Sequence, residues 1–288
     1  MKNRYKHFYA CLLGISALSA GAFPAAAATS LGAASDFAVL SAAPGGLGAV
    51  TCTDSTVAGS IGSSGARPSV VQTSCTATGL VVAPVRDHVL TDFNAAYAAL
   101  ASASCDQVLT GTLAGFTLAP GVYCFEAAAT LTGTLTLEGP STSSWLFKVG
   151  TSGTGALTGT NFSVVLNGAT ACNVTWWVAE AVTMTDSNFK GSILAGAAIT
   201  ATGSTAVQGT FEGRALAKAA VTFTNETFVG CQGGSVGGGG KKKQSCNQGV
   251  GNGREDCDPG NSNQGYPFRS NDEMGGTPGN PGRKGGNK

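Results

Sequence analysis

The sequence predicts an all-β protein with one long helix, built as a β-solenoid (β-helix) of triangular section. Three observations lead to this fold class. A short phrase, an apolar residue followed by Thr-x-Thr, occurs six times between residues 109 and 224. Between its copies lie short segments rich in Thr, Val and Phe, with Gly or Pro separating them as turns separate strands. One stretch, residues 84–104, has helical spacing instead.

The six copies of the phrase follow one another at steps of 22, 26, 25, 17 and 22 residues. An irregular period near the length of one coil is typical of a solenoid, in which each repeat stacks on its neighbours. The two threonines of a copy share one face of a strand, so stacked copies predict two threonine columns on one flat side. The candidate residues are Thr110, Thr112, Thr132, Thr134, Thr158, Thr160, Thr183, Thr185, Thr200, Thr202, Thr222 and Thr224.

Each coil is expected to have three sides. Apolar segments such as 145–150 and 175–180 precede the Thr-x-Thr strands, and segments such as 162–166 and 211–213 follow them. Further strands are predicted upstream, within residues 50–62 and 70–82. The tryptophans and phenylalanines of these segments are interpreted as core, because solenoids stack like residues inside.

Residues 84–104 are predicted to form an amphipathic helix packed along a β-face. Alanine, the strongest helix former, occupies positions 95, 96, 98, 99 and 101. His88 and Asp87 fall on or near the polar side, where solvation is expected. The apolar positions at helical spacing are Val85, Val89, Phe93, Tyr97 and Leu100.

Both ends of the chain are expected to lie outside the domain, which spans residues 29–231. Residues 1–28 have the features of a secretory signal peptide, with basic residues before an apolar stretch and small residues at 26–28 for cleavage. Residues 232–288 are rich in Gly, Asn and Pro, which predicts a disordered tail. No other run is long enough to span a membrane. We therefore expect a secreted protein, extracellular or periplasmic, that acts as a monomer.

Eight cysteines remain after signal cleavage, and an even number suits disulfides in an oxidising compartment. Sequential pairing is favoured among the possible connectivities, since each pair would close a loop of one or a few coils, or a short tail loop. A zinc site is disfavoured because Cys-x-x-Cys is missing and His88 is the one histidine left. The predicted pairs are Cys52–Cys75, Cys105–Cys124, Cys172–Cys231 and Cys246–Cys257.

Charge and motifs argue against several function classes. Residues 29–231 hold six basic and eleven acidic groups, with no basic stripe to bind nucleic acid. The sequence has no Gly-x-Ser-x-Gly motif and no phosphate loop, and its acids are scattered, which disfavours an enzyme or a paired-carboxylate glycosidase. Residues 252–258 lack the spacing of a calcium loop. We predict no cofactor and no metal.

Five ordered motifs within residues 31–231 resemble those of a known family. They are LGAASDFAVL at 31–40, LAPGVYCF at 118–125, LTGTLTLEG at 131–139, ACNVTWWV at 171–178 and GRALAKAAVTF at 213–223. Together they are similar to the secreted ice-binding (antifreeze) proteins, formerly catalogued as a domain of unknown function. The resemblance implies a right-handed, discontinuous β-solenoid with its helix alongside the axis, and adsorption to ice through one flat face.

The charge distribution indicates which face would bind. The sides before and after Thr-x-Thr carry lysine and glutamate, whereas the twelve threonines have no charge among them. Hydroxyls repeating at about 6.7 Å along a strand and about 4.8 Å between strands would form a rigid grid suited to a crystal plane. The predicted partner is therefore an ice surface, with inhibition of ice growth and recrystallisation as the activity. Two alternatives stay open: a threonine ladder that binds nothing, and a surface or matrix adhesion protein on the same scaffold.

Overall fold

The chain forms stacked β-coils and a single long helix. The computed structural model describes residues 30–231, which contain helix α1 (Asp87–Ser102), four short 3-10 turns and 22 strands. The turns are Gly32–Asp36, Pro44–Gly46, Arg67–Ser69 and Ala171–Asn173. The strands are β1 (Phe37–Ser41), β2 (Val50–Thr53), β3 (Thr56–Ala58), β4 (Ser60–Ser63), β5 (Val70–Thr73), β6 (Thr76–Ala77), β7 (Val81–Val82), β8 (Gln107–Val108), β9 (Thr117–Leu118), β10 (Gly121–Phe125), β11 (Ala129–Glu138), β12 (Trp145–Val149), β13 (Leu157–Asn167), β14 (Val174–Val178), β15 (Val182–Thr185), β16 (Asn188–Lys190), β17 (Ser192–Ala195), β18 (Ile199–Thr202), β19 (Gly209–Gly213), β20 (Ala215–Ala217), β21 (Val221–Thr224) and β22 (Glu226–Gly230).

The strands lie in three parallel stacks. The helix stack has the order β7-β4-β1-β20-β17-β14-β12-β10-β8. The threonine stack runs β5-β2-β21-β18-β15 and ends in the first halves of β13 and β11. The third stack runs β6-β3-β22-β19-β16 and ends in the second halves of β13 and β11, with β9 outermost. A mainly β protein with one long helix is therefore confirmed.

The stacking order differs from the order of the chain. Coils add in sequence from β8 to β22, and the N-terminal strands β1, β2 and β3 then pair with β20, β21 and β22. Strands β4 to β7 extend the stack further in the same direction. Helix α1 connects β7 at that end to β8 at the opposite end.

A continuous apolar core fills the inside of the coils. Rings on successive coils stack on one another: the centroids of Phe147 and Trp176 lie 4.0 Å apart, and those of Phe211 and Phe228 lie 4.6 Å apart. Trp145 is also buried, which confirms the core interpretation of these aromatic residues. Burial of such large rings on most of the central coils removes much apolar surface from water, and that is the main driving force for the stack.

Helix α1 covers the outer side of the helix stack. Phe93 and Tyr97 pack into a second apolar cluster with residues such as Trp177 and Leu194. The Tyr97 hydroxyl donates to the carbonyl oxygen of Val178 at 3.0 Å, and burial raises the pKa of Tyr97 to about 12. The buried Lys148 ammonium donates to two carbonyl oxygens at the C-terminal end of the helix, where a cation is favoured.

Three of the four predicted disulfides are present: Cys52–Cys75, Cys105–Cys124 and Cys172–Cys231. The fourth pair, Cys246–Cys257, lies outside the described residues, as do the predicted signal peptide and tail. Within residues 30–231 no helix has the length and apolar character needed to cross a membrane.

Candidate functional site

The register of the threonine stack aligns threonines from six consecutive strands. The first column pairs Thr130, Thr158, Thr183, Thr200, Thr222 and Thr51 in that order, with Val71 after Thr51. The second column pairs Thr160, Thr185, Thr202, Thr224, Thr53 and Thr73. Thr132 lies beside Thr160 at the end of this column, where the pairing of β11 and β13 shifts.

Both columns point outward because the residue between the two threonines of each row points into the core. Cys52, Met184 and Phe223 occupy this middle position and are 2% exposed or less. The threonines on either side of them are half-buried or exposed. In parallel strands such groups repeat at about 4.8 Å across the rows and about 6.6 Å along them. Thus the outer surface is a two-dimensional grid of hydroxyl and methyl groups.

A column of alanines lies beside the threonines. An alanine stands two positions before the first threonine of each of the six rows, on the same outward side by strand alternation. Backbone ladder bonds continue through this column, such as Val182 N–H to Ala198 O at 2.9 Å and Ile199 N–H to Ala220 O at 3.0 Å. We call the three columns together the threonine face. The alanines are Ala128, Ala156, Ala181, Ala198, Ala220 and Ala49.

The opposite edge of the threonine face is a row of sharp corners. The residue that follows the second column has a left-handed backbone with φ from 47° to 53° in five rows, and Gly133 (φ 68°) has one in the row on β11. Asn and Asp tolerate this conformation better than other residues with a side chain. Each corner turns the chain into the third stack, so the face ends in a straight line. The five corner residues are Asp54, Ser74, Asn161, Asp186 and Asn225.

Charged groups border the described threonine face without entering it. Asp54 and Asp186 lie at the corners, and Glu180 lies just before Ala181. On the third stack, Lys190 Nζ and Glu212 Oε2 form an ion pair at 2.6 Å across neighbouring strands. Charged side chains, which hold water tightly, therefore lie only at the margins of the described threonine face.

Three of the twelve threonine candidates do not join the threonine face, so the predicted alignment is wrong for them. Thr110 and Thr112 are exposed and belong to no strand. Thr134 pairs with Ser163 on the third stack, because a bulge after Leu131 and the left-handed Gly133 (φ 68°) turn the chain immediately before it. The nine candidates on the face are Thr132, Thr158, Thr160, Thr183, Thr185, Thr200, Thr202, Thr222 and Thr224.

Four threonines of the face were missed by the sequence reasoning. The row on β11 is Thr130 with Thr132, and strands β2 and β5 add Thr51, Thr53 and Thr73. The alanine two positions before the first threonine was the available signal. An alanine stands two positions before Thr51 and Thr130, whereas a valine stands two positions before Thr110.

One buried acid lies under the corner edge. The Glu226 side chain is 2% exposed, and its carboxylate would collide with any side chain placed on Gly209 in the neighbouring strand. Burial, with Asp186 nearby as a lesser cause, raises the pKa of Glu226 to about 8. This carboxyl is therefore protonated in the folded protein at neutral pH and adds no charge beneath the face.

Comparisons with known proteins agree with this architecture. The family model described as ice-binding-like matches residues 26–229. An ice-binding protein of Nostoc sp. (strain HG1) is 36% identical over 210 residues, which cover 67% of this chain and 72% of that protein. Ice-binding protein K1-A of Typhula ishikariensis is 30% identical over 211 residues, covering 64% and 84%.

A solved structure gives the same result at the level of the fold. The crystal structure of an ice-binding protein from the Antarctic ascomycete Antarctomyces psychrotrophicus superposes with a TM-score of 0.60 at 32% identity, covering 70% of this chain and 97% of that one. Sequence and fold lead to one conclusion: the chain belongs to the ice-binding-like protein family.

Proposed function

We propose that this protein binds ice through the threonine face, without catalysis, and so inhibits ice growth and recrystallisation. The observation that carries the proposal is the unbroken register that aligns threonines on six neighbouring strands. Relatives named as ice-binding proteins support the choice of ice as the partner. The adhesion alternative gains no support from them.

The chemistry of the face suits ordered water. Each threonine hydroxyl can donate and accept a hydrogen bond, as each water in a lattice does. The threonine methyl groups and the alanine column restrict where water can sit between the hydroxyls. The core beneath holds the grid rigid, because close-packed interiors resist deformation. A crystal plane would therefore meet groups that need no rearrangement on binding.

The rest of the proposed organisation rests on the sequence and on its resemblance to the family. The solenoid would be right-handed and triangular in section, and one flat side would then be free for ice. Residues 1–28 would direct export, the domain of residues 29–231 would bind ice as a monomer, and residues 232–288 would form the tail. Three disulfides in the domain suit an oxidising compartment outside the cytoplasm.

An ice recrystallisation assay tests the proposal with a control inside the same repeat. Thr200→Tyr and Thr183→Tyr place a bulky ring in the middle of the grid, and we expect each to raise the inhibitory concentration at least tenfold. Thr134 also belongs to a copy of the Thr-x-Thr phrase, but it lies on the third stack. The activity of Thr134→Tyr should therefore equal that of the unmodified protein.

The possible failures separate two parts of the proposal. Folded protein without any inhibition would overturn ice binding itself. If all three tyrosine variants stayed as active as the unmodified protein, ice binding would stand and the threonine face would be the wrong surface.

A further inference from the structure

A cavity of about 220 Å³ opens on the helix stack, on a different side of the coils from the threonine face. It lies between the end of α1, the first 3-10 turn and strands β14 and β17. Its lining has a polar part: Thr175 and Ser192 pair on the adjacent strands β14 and β17, and Arg214, in the connection before β20, lies beside Ser192. Its apolar part includes Leu31, Leu100 and Leu194.

Arg214 is a buried cation with an incomplete set of partners. It is 7% exposed, and its Nε donates to the carbonyl oxygen of Ser35 at 3.2 Å. Within residues 30–231 this is its one hydrogen bond, and Asp36, the carboxylate whose charge acts on it, does not form an ion pair with it. Buried arginines are normally paired, because an uncompensated charge away from water is costly. By contrast, the buried Lys148 has its two carbonyl acceptors on α1.

The neighbouring Ser192 also has an unused polar group. Its side chain is 3% exposed, and its Oγ has no hydrogen-bond partner within residues 30–231. A buried hydroxyl without a partner is rare in folded proteins, and a bound water, ion or ligand can supply the missing contact. One cavity thus contains a buried guanidinium and, beside it on β17, an unpartnered buried hydroxyl.

We propose that this cavity binds a small organic monocarboxylate. The carboxylate would accept hydrogen bonds from the terminal amino groups of Arg214 and from the Ser192 hydroxyl, where charge-assisted bonds are strong. A short alkyl body would lie against Leu31, Leu100 and Leu194. The volume of about 220 Å³ is large enough for an acid of a few carbons.

Binding would join parts of the fold that are distant in sequence. Ser35 and Leu31 belong to the N-terminal region, Leu100 to α1, and Arg214 to the connection before β20. A ligand that contacts all of them in the folded state alone stabilises that state by mass action. The site would thus clamp the helix to the coils, independently of ice.

Calorimetry and thermal unfolding of the full chain with sodium butyrate test the proposal. We expect saturable binding and a rise in Tm that follows the same saturation curve. Ser192→Ala should weaken binding about tenfold, and Arg214→Gln should weaken it more than tenfold. The exposed Arg86, changed in Arg86→Gln, is the matched control and should leave the affinity unchanged.

Three results would overturn the proposal: no saturable heat with butyrate, equal affinity in Ser192→Ala and the unmodified chain, or equal binding of neutral butyramide. Phosphate binding as tightly as butyrate would overturn the role given to the leucines. Thr200→Tyr should keep full butyrate affinity, so loss of ice binding and loss of this site are distinguishable.

Discussion

Glu226 shows how burial at a single residue links stability to pH. Its pKa is about 8 in the folded protein against an ordinary value of 4.5. Between these two pH values the folded state holds a proton that the unfolded chain has released. The free energy of unfolding therefore falls as pH rises through this window, and it stays constant above about pH 8.

We expect the unfolding free energy to drop by on the order of 3 kcal/mol between pH 5 and pH 8, since each pKa unit is worth about 1.4 kcal/mol. Glu226→Gln, which cannot ionise, should match the unmodified protein at pH 5 and exceed it at pH 8.5. Urea unfolding at the two pH values measures this difference. Glu126→Gln, at an exposed position, is the control and should leave the pH dependence intact.

Lys148 is a second residue whose substitution should have a measurable effect on stability. Replacing it with methionine keeps most of the packing volume but leaves the carbonyl oxygens of Ala101 and Ala103 without their donor. The expected cost is about 2 kcal/mol, measured as a lower Tm. Lys190→Met, which removes a surface ion pair, should cost no more than about 1 kcal/mol. Equal losses in the two variants would contradict the capping role.

For single residues, the sequence reasoning predicted the cysteine pairs correctly. It failed for threonines whose position depends on the register between strands. Thr132 and Thr134 stand in one phrase, yet a bulge and the left-handed Gly133 put them on different stacks. Neither event changes the composition of the segment, so the spacing alone suggested a regular copy. Six cysteines in the described region were paired correctly, because sequential pairs close whole coils.

Among the elements, the corners determine whether the rows stay aligned. Asn161 has φ 47° in the middle of the long strand β13, where the chain passes from the threonine stack to the third stack. The residue is exposed, so its conformation matters more than its contacts. A residue with a branched side chain in that conformation is strained.

We expect Asn161→Val to lower the unfolding free energy by about 1–2 kcal/mol, the usual cost of a left-handed backbone for such a residue. Asn161→Gly should be neutral or slightly stabilising, since glycine adopts this φ freely. Denaturant unfolding measures both. A loss in the glycine variant as large as in the valine variant would show that the amide group, and not the backbone, is what the corner requires.

Helix α1 was the element most open to prediction. Its apolar spacing gave residues 84–104, and the observed helix is Asp87–Ser102, since the cap residues Arg86 and Ala103 have extended backbones. That the strands fall into three stacks was also readable from the order of segments. The sequence did not predict that α1 connects the two opposite ends of the helix stack. Apolar periodicity shows which face of a helix is buried, but not what that face packs against.

For the whole molecule, disulfides should stabilise according to the chain length they enclose. Cys172–Cys231 closes 59 residues and Cys105–Cys124 closes 19. The loop-entropy estimate gives about 4 kcal/mol for the first and about 3 kcal/mol for the second. We expect the Cys172→Ser/Cys231→Ser variant to lose more stability in urea than the Cys105→Ser/Cys124→Ser variant. The reverse order would contradict the entropic account.

The order of the stack was the part of the fold that residue patterns could not supply. Nothing in the local sequence of β1 or β20 specifies that they are neighbours, and the expectation of a discontinuous solenoid came from family resemblance. Thr51 and Thr53 were overlooked as site residues because they precede the repeat array by more than fifty positions, yet they extend its grid directly after Thr222 and Thr224.

Because β1 to β3 are placed next to β20 to β22, the two ends of the domain must meet before the coils are complete. Ser41 Oγ donates to the carbonyl oxygen of Ala219, 178 positions later. During synthesis the ribosome adds Ser41 long before it adds Ala219. Coils from β8 onward can form while synthesis proceeds, whereas the rows contributed by β2 and β5 must wait for β21. High contact order of this kind slows folding. The last part of the surface to assemble should therefore be the end that carries Thr51 and Thr73.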